Sequence, residues 1–337
     1  MSFDASIFAT LGRGERPSED ALRAALVSIL SGEAASEHVS ALLLGLEMLG
    51  LSARELRVGT EVMRANMVPV DVGADVIDIV GTGGTGLHTL SISTATAIVC
   101  AAAGATVAKH GNRAASSLTG TADTLSELGV NLAVTPERTA EIVREVGIGF
   151  LFAPNHHPAM RYVGPARKAL GIRTLFNMLG PMSNPAGAKR MLLGVCDDAW
   201  RAPMAEALRD LGVDHVWVVH GSDGLDEITT TGPTHVTEVR GQEMREFEVT
   251  PQQYGLDMAT LDSLRGGTPA ENALALSELL DGQRSDYRDI VLLNAGAALM
   301  IAGVAENVPA GMDAAAEAID SFRARDTLAA LVEATNT

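Results

Sequence analysis

From residue 76 onward the chain alternates short apolar runs with helix-forming stretches. VIDIV precedes STATAIVCAAAG, ATVAK precedes TADTLSELG, and IGFLFAP follows TPERTAEIVREVG. Strand-length runs separated by helices predict a mostly parallel sheet with helices on both faces, because parallel neighbours need a crossover and the crossovers cover the sheet. RMLLGVC and HVWVVH supply two further strands, and THVTEVRG with MREFEVT reads as a hairpin-type excursion. The C-terminal third ends in helices, including DIVLLNAGAALMIAG and DAAAEAIDSFRARDTLAALVEA. Thr135-Pro136 opens a helix with proline at its first position.

The part before about residue 68 reads as helices only. Ser18, with Glu19 and Asp20, starts one. Ser36 starts a second, and Ser52 a third that runs to about Asn66. In the second helix Val39, Leu42, Leu43, Leu46 and Leu49 form one stripe, while Leu44 and Met48 lie off it. That extra apolar face either packs within its own domain or meets a second subunit. Pro69 and Gly73 mark the boundary. The expected fold is α/β: a small all-helical domain over 1–70, and a large sheet domain over 75–164 and 189–337.

Of the 337 residues, 47% are hydrophobic, enough for a large core, and the net charge is −17. Such a surface repels nucleic acid and anionic membranes, so neither is an expected partner. The longest apolar run, AIVCAAAGATVA, is too short to span a bilayer. The N-terminus lacks the basic and apolar regions of a signal peptide. Cys100 and Cys196 have no metal-ligand spacing. A reduced, cytoplasmic protein is the expectation.

Three loops carry the chemistry. Gly81, Gly83 and Gly86 lie between a strand and a helix, in the spacing of dinucleotide-binding loops. Bare backbone N–H groups beside a helix N-terminus favour an anion there. No Lys-Ser/Thr follows Gly86, so it is not a Walker A loop. A dinucleotide site also demands a carboxylate after the second strand. That strand instead runs into Lys109-His110-Gly111-Asn112-Arg113-Ala114-Ala115-Ser116-Ser117, with Thr119 beyond. This loop suits more phosphate rather than a ribose diol. The third loop, after HVWVVH, brings Asp223, Asp226 and Glu227. Carboxylates facing a polyphosphate would repel it unless a cation lay between, which implies Mg²⁺.

The set GTGG, SIST, KHGNRAASS, FLFAPNHHPAM, GIRTLFNMLGPMSNP and HGSDGLDE resembles the anthranilate phosphoribosyltransferase family over nearly the whole chain. The resemblance implies transfer of a phosphoribosyl group from 5-phosphoribosyl 1-diphosphate (PRPP) to anthranilate, early in tryptophan biosynthesis. It also implies a homodimer through the N-terminal helices, with a segment near 165–188 joining the helical domain. By the same resemblance, PRPP would meet Gly81, Gly83, Gly84, Thr85, Thr89, Ser91, Ile92, Ser93, Thr94, Lys109, Gly111 to Ser117 and Thr121. Anthranilate would meet Gly81, His110, Asn112, His157 and Arg167, and Mg²⁺ would meet Ser93, Asp226 and Glu227. Arg167 suits a carboxylate because its planar fork can hold both oxygens. His156 is not expected to take part. No general base is expected, since an aromatic amine is already neutral near pH 7.

Two positions depart from the family pattern, which usually has aspartate at 85 and asparagine at 91 where this chain has Thr85 and Ser91. Alternatives to the transfer are a nucleoside phosphorylase of similar fold, a non-catalytic nucleic-acid-binding relative and, more remotely, a dinucleotide oxidoreductase.

Overall fold

A computed structural model describes residues 3–114 and 118–337. The chain begins with four helices, Ile7–Gly12, Glu19–Leu30, Ser36–Leu49 and Ala53–Ala65. Their starts follow local chemistry. The Ser18 hydroxyl accepts the Ala21 N–H at 3.3 Å, and the Glu55 carboxylate reaches back to accept the Ser52 N–H at 2.9 Å. Ser36 is the first helical residue rather than the cap, a place taken by extended Ala35. Val39, Leu42, Leu43 and Leu46 are buried, whereas Leu44 and Met48 remain 42% and 80% exposed.

Among the described residues seven strands follow: β1 Ile77–Gly81, β2 Val107–Gly111, β3 Ile148–Phe152, β4 Arg190–Gly194, β5 His215–Gly221, β6 Thr234–Arg240 and β7 Glu243–Val249. They form one sheet in the order β3-β2-β1-β4-β5-β6-β7. Strands β1 to β5 are parallel, and β6 and β7 add an antiparallel hairpin at one edge. The chain winds outward from β1 through β2 to β3, then returns to lay β4 on the other side of β1. That reversal makes the carboxyl ends of β1 and β4 a topological switch point, where open α/β sheets leave a crevice.

One face of the sheet packs Ile79, Val107, Leu192 and Val219 against the helices Ile92–Ala102, Asp286–Ala302, Val308–Asp320 and Arg323–Asn336. The other face packs Val80, Leu193, Val216 and Val218 against the helix Arg201–Asp210, and this core continues into the N-terminal helices. The helices Gly164–Leu170 and Leu175–Met182 belong to that second layer through Ala166, Leu175, Met178 and Leu179. Gly59 lets the helix Ala53–Ala65 approach Leu179: a Cβ at that glycine would lie 2.9 Å from the leucine methyls. No helix is long and apolar enough to cross a membrane among the described residues.

Candidate active site

Beyond β1 the backbone turns through left-handed glycines, Gly83, Gly84 and Gly86, at φ +64°, +76° and +73°. The Thr82 N–H still bonds the Gly194 carbonyl at 2.9 Å. The Gly83 N–H donates to Asp226 Oδ2 at 2.7 Å, and Leu87 donates to the Thr85 hydroxyl at 3.3 Å. Among the described residues the N–H groups of Gly84, Thr85 and Gly86 have no acceptor. Consecutive N–H groups in left-handed turns form an anion nest. The chain then passes Thr89, bridged to Arg265, and enters the helix Ile92–Ala102 through Ser91. Ile92, Ser93 and Thr94 lie in its first turn, where the helix dipole also favours an anion.

The acidic loop reaches this nest by crossing the end of β4. A Cβ on Gly194 would lie 1.7 Å from the Asp226 carbonyl oxygen, and one on Gly81 would lie 2.2 Å from Asp226 Oδ2. Gly81 and Gly194 are register partners. Two bare strand ends side by side therefore form the trough in which Asp226 sits. Asp223 stays out of the trough: it accepts the Leu225 N–H and the Thr229 hydroxyl, at 3.0 and 2.6 Å, and the Thr231 hydroxyl. Buried Asn294 pins the loop's exit, bonding both the N–H and the carbonyl of Ile228 at 3.0 and 2.8 Å.

The Ser93 backbone N–H favours the ionised form of Glu227. Lys109 Nζ, from β2, donates to the Ser93 hydroxyl at 3.2 Å and to the Ile79 carbonyl. Burial raises the carboxyls of Asp226 and Glu227, and for Glu227 the neighbouring Asp226 charge adds to it. Burial pulls the Lys109 ammonium down, against the charges of Asp78, Glu227 and Asp226. Two carboxylates and the Ser93 hydroxyl form a hard oxygen set that fits Mg²⁺. No group of three His, Cys, Asp or Glu at metal-binding distance occurs among the described residues.

At the neighbouring strand end, fully buried Asp78 accepts the His110 N–H at 3.1 Å and the Asn184 amide at 2.7 Å. Burial lifts the Asp78 carboxyl to about 6. Asn112, just past Gly111, is exposed, and its side-chain oxygen accepts the Arg113 N–H at 2.8 Å. Arg113 is already neutralised by Asp123 at 2.7 Å, and Asp123 also accepts the Ala114 N–H at 3.0 Å. Thr121 begins the helix Thr121–Glu127, with its hydroxyl 3.4 Å from that of Thr94. The Ser91 hydroxyl is taken by Thr124 at 2.8 Å and Asn272 at 3.3 Å. Ala115, Ser116 and Ser117 lie outside the described residues.

The His110 ring lies 5.0 Å from that of His157, centroid to centroid. His110 Nδ1 faces the Gly180 carbonyl at 3.1 Å, whereas Nε2 of both rings is buried without a partner among the described residues. Burial lowers His110 to about 3 and His157 to about 4, so both are neutral near pH 7. His156 is tied to the Val68 carbonyl at 3.1 Å and holds the chain rather than the site. The segment carrying His157 runs into the helix Gly164–Leu170, which carries Arg167. This guanidinium is half-buried, its pKa drawn down by burial, with no carboxylate partner among the described residues.

Four residues at the site escape sequence reasoning: Asp78, Asn184, Gly194 and Asn294. Asp78 alone left a local signal, a carboxylate inside the apolar run VIDIV. The others act through partners distant in sequence.

Profiles of a glycosyl transferase family match the chain in two parts, a helical bundle domain over residues 5–67 and an a/b domain over 73–325. An anthranilate phosphoribosyltransferase from Parvibaculum lavamentivorans is 54% identical over 331 residues, covering 98% of this chain and 97% of the relative. The crystal structure of anthranilate phosphoribosyltransferase from Thermus thermophilus superposes with a TM-score of 0.92 at 41% identity, covering 98% and 99% of the two chains. The Saccharomyces cerevisiae enzyme in complex with PRPP and Mg superposes with a TM-score of 0.90 at 28% identity, covering 98% and 97%.

Proposed function

The chain belongs to the anthranilate phosphoribosyltransferase family, and from that premise we propose how its residues divide the work. The enzyme transfers the phosphoribosyl group of PRPP to the amine of anthranilate and releases diphosphate. The relatives support this transfer and not the phosphorolytic or nucleic-acid-binding alternatives. One observation carries the division of roles: the Gly83 N–H···Asp226 bond joins an anion nest to a carboxylate pair at the switch point of the sheet.

The diphosphate of PRPP takes the free N–H groups of Gly84, Thr85 and Gly86, with Gly81, Gly83, Thr89, Ile92 and Thr94 shaping the turn around it. Ser91 contributes backbone, since its hydroxyl is engaged elsewhere. Lys109, Gly111, Asn112, Arg113, Ala114 and Thr121 line the second loop, to which Ala115, Ser116 and Ser117 also belong. Asp226, Glu227 and Ser93 would hold Mg²⁺, which when bound offsets the charge that builds on the leaving diphosphate.

The C1–O bond to diphosphate breaks as the ribose gains oxocarbenium character, and the anthranilate amine attacks C1. Nest N–H groups stabilise the departing anion. Arg167 binds the anthranilate carboxylate, Asn112 offers its amide, and the neutral His110 and His157 rings pack the aromatic ring without adding charge. The attacking aromatic amine is already neutral near pH 7, its proton passes to water or to the departing diphosphate once the C–N bond has formed, and alignment of amine and C1 supplies much of the rate. We further propose a helical unit of 1–70 completed by 165–188, and a cytoplasmic homodimer using the face that exposes Leu44 and Met48. The direct test follows anthranilate fluorescence in purified protein. Consumption is expected only with PRPP and Mg²⁺ together; no turnover over a range of both would overturn the reading.

A further inference from the structure

We propose that Arg173 is a positioning residue for the diphosphate half of PRPP, acting by fixing the peptide that aims the anion nest; this rests on the function proposed above. Arg173 lies just before the helix Leu175–Met182, in the layer of the N-terminal helices. From there it reaches the glycine loop after β1, where its Nη2 donates to the Gly84 carbonyl. The guanidinium lies against the bare Gly84 Cα. A Cβ at that glycine would meet Nη2 at 3.3 Å, and Cζ and Nε at 3.7 Å.

The consequence is geometric. Across a trans peptide the carbonyl and the following N–H point in opposite directions, and no cis peptide occurs among the described residues. By holding the Gly84 carbonyl on its own side, Arg173 turns the Thr85 N–H to the other side. That N–H has no acceptor among the described residues. Gly84, which opens this peptide, is left-handed at φ +76° and follows left-handed Gly83 at φ +64°, so the backbone ahead of the peptide is free to rotate without such an anchor.

The guanidinium also acts on the helical layer. It eases ionisation of Glu47, on the helix Ser36–Leu49, whose Oε2 is buried without a hydrogen-bond partner among the described residues. Arg173 therefore ties the helical layer to the sheet at the nest, on the opposite side of the peptide from the donor it aims. Arg167 sits only six residues earlier but has no side-chain acceptor among the described residues, so the two arginines divide the substrates: Arg167 takes the anthranilate carboxylate, and Arg173 orders the loop that takes diphosphate.

The test uses Arg173→Ala, Arg173→Gln and Arg173→Lys in the full chain. Titration calorimetry with inorganic diphosphate and Mg²⁺ is run beside steady-state kinetics and thermal unfolding. Losing a charged hydrogen bond predicts about a tenfold weakening of diphosphate binding and about a tenfold rise in the KM for PRPP in Arg173→Ala. The KM for anthranilate should stay within about twofold, and Arg173→Lys, which keeps charge and a donor but not the planar fork, should recover part of the loss. If Arg173→Ala does not fold, Arg173→Gln carries the same expectation with a smaller volume change. The proposal is overturned if diphosphate binding is unchanged in a folded variant, or if both substrates lose affinity equally. A wild-type protein that binds diphosphate but does not consume anthranilate would instead overturn the proposed function and leave the role of Arg173 standing.

Discussion

Gly194→Ala is the sharpest perturbation the site offers, because it adds one methyl group and touches no functional side chain. Its Cβ would lie 1.7 Å from the Asp226 carbonyl oxygen, 2.3 Å from its carbonyl carbon and 2.9 Å from its Cα. All three are backbone atoms, so no rotamer change relieves the contact. Carbon–oxygen contacts settle near about 3.3 Å, so the acidic loop must retreat by about 1.6 Å, and the bond from the Gly83 N–H to Asp226 cannot survive that shift. A misplacement of about 1 Å can cost about 100-fold in rate, so a loss of at least about 100-fold in kcat/KM for PRPP is expected. Overpacking costs about 1–3 kcal/mol in stability, which leaves the fold intact. Initial rates from anthranilate fluorescence, with thermal unfolding as a fold control, measure both. Gly12→Ala, which places its Cβ in open space, serves as comparator. A Gly194→Ala enzyme within threefold of wild type would mean that the acidic loop does not cross β4 as described.

Arg167→Ala should weaken anthranilate binding by about 10- to 150-fold, the worth of a charge-assisted hydrogen bond, with the KM for PRPP much less affected; equal losses for both would refute the carboxylate assignment. Glu227→Ala should cost far more activity than Thr85→Ala, since the Thr85 hydroxyl serves its own turn, while Thr85→Asp should alter the Mg²⁺ dependence of the initial rate and leave anthranilate affinity alone. An unchanged Mg²⁺ curve for Thr85→Asp would show that the nest does not sense the metal. Stability should fall with acid through His157, whose folded pKa of about 4 lies below its ordinary value of 6.5. Between those values the unfolded chain holds more protons, so the contribution is complete above 6.5 and is lost as pH drops toward 4. Asp78, raised to about 6, acts in the opposite sense. His157→Asn should therefore flatten the fall in unfolding free energy between pH 6.5 and 4 by about 1.4 kcal/mol per pH unit, and an unaltered slope in denaturant melts would refute the neutral, buried imidazole.

Much of this molecule is written in local pattern. The alternation of apolar runs with helices dictates a mostly parallel sheet, because each strand must bury both faces and each crossover needs a helix to return. Ser18 and Thr135 mark helix starts because a hydroxyl accepts an orphan N–H three residues on, and at Ser52 the Glu55 carboxylate accepts the Ser52 N–H. The anion-friendly character of the glycine loop and the presence of a carboxylate pair are likewise readable, since backbone freedom and side-chain charge belong to single positions.

What the linear chain does not carry is which of these features meet. Strand order places β4 beside β1 although more than a hundred residues separate them, and only then do Gly81 and Gly194 become neighbours that must both lack a side chain. The same tertiary pairing separates the three acidic residues of one loop, binding Asp223 to threonine hydroxyls while delivering Asp226 to the nest. It neutralises Arg113 with Asp123 yet leaves Arg167 without a counter-charge among the described residues. It buries Asp78 against Asn184 and His110. Charge and flexibility are properties of a residue, but burial, pairing and the direction of an N–H are properties of its surroundings, and those exist only once distant segments have packed.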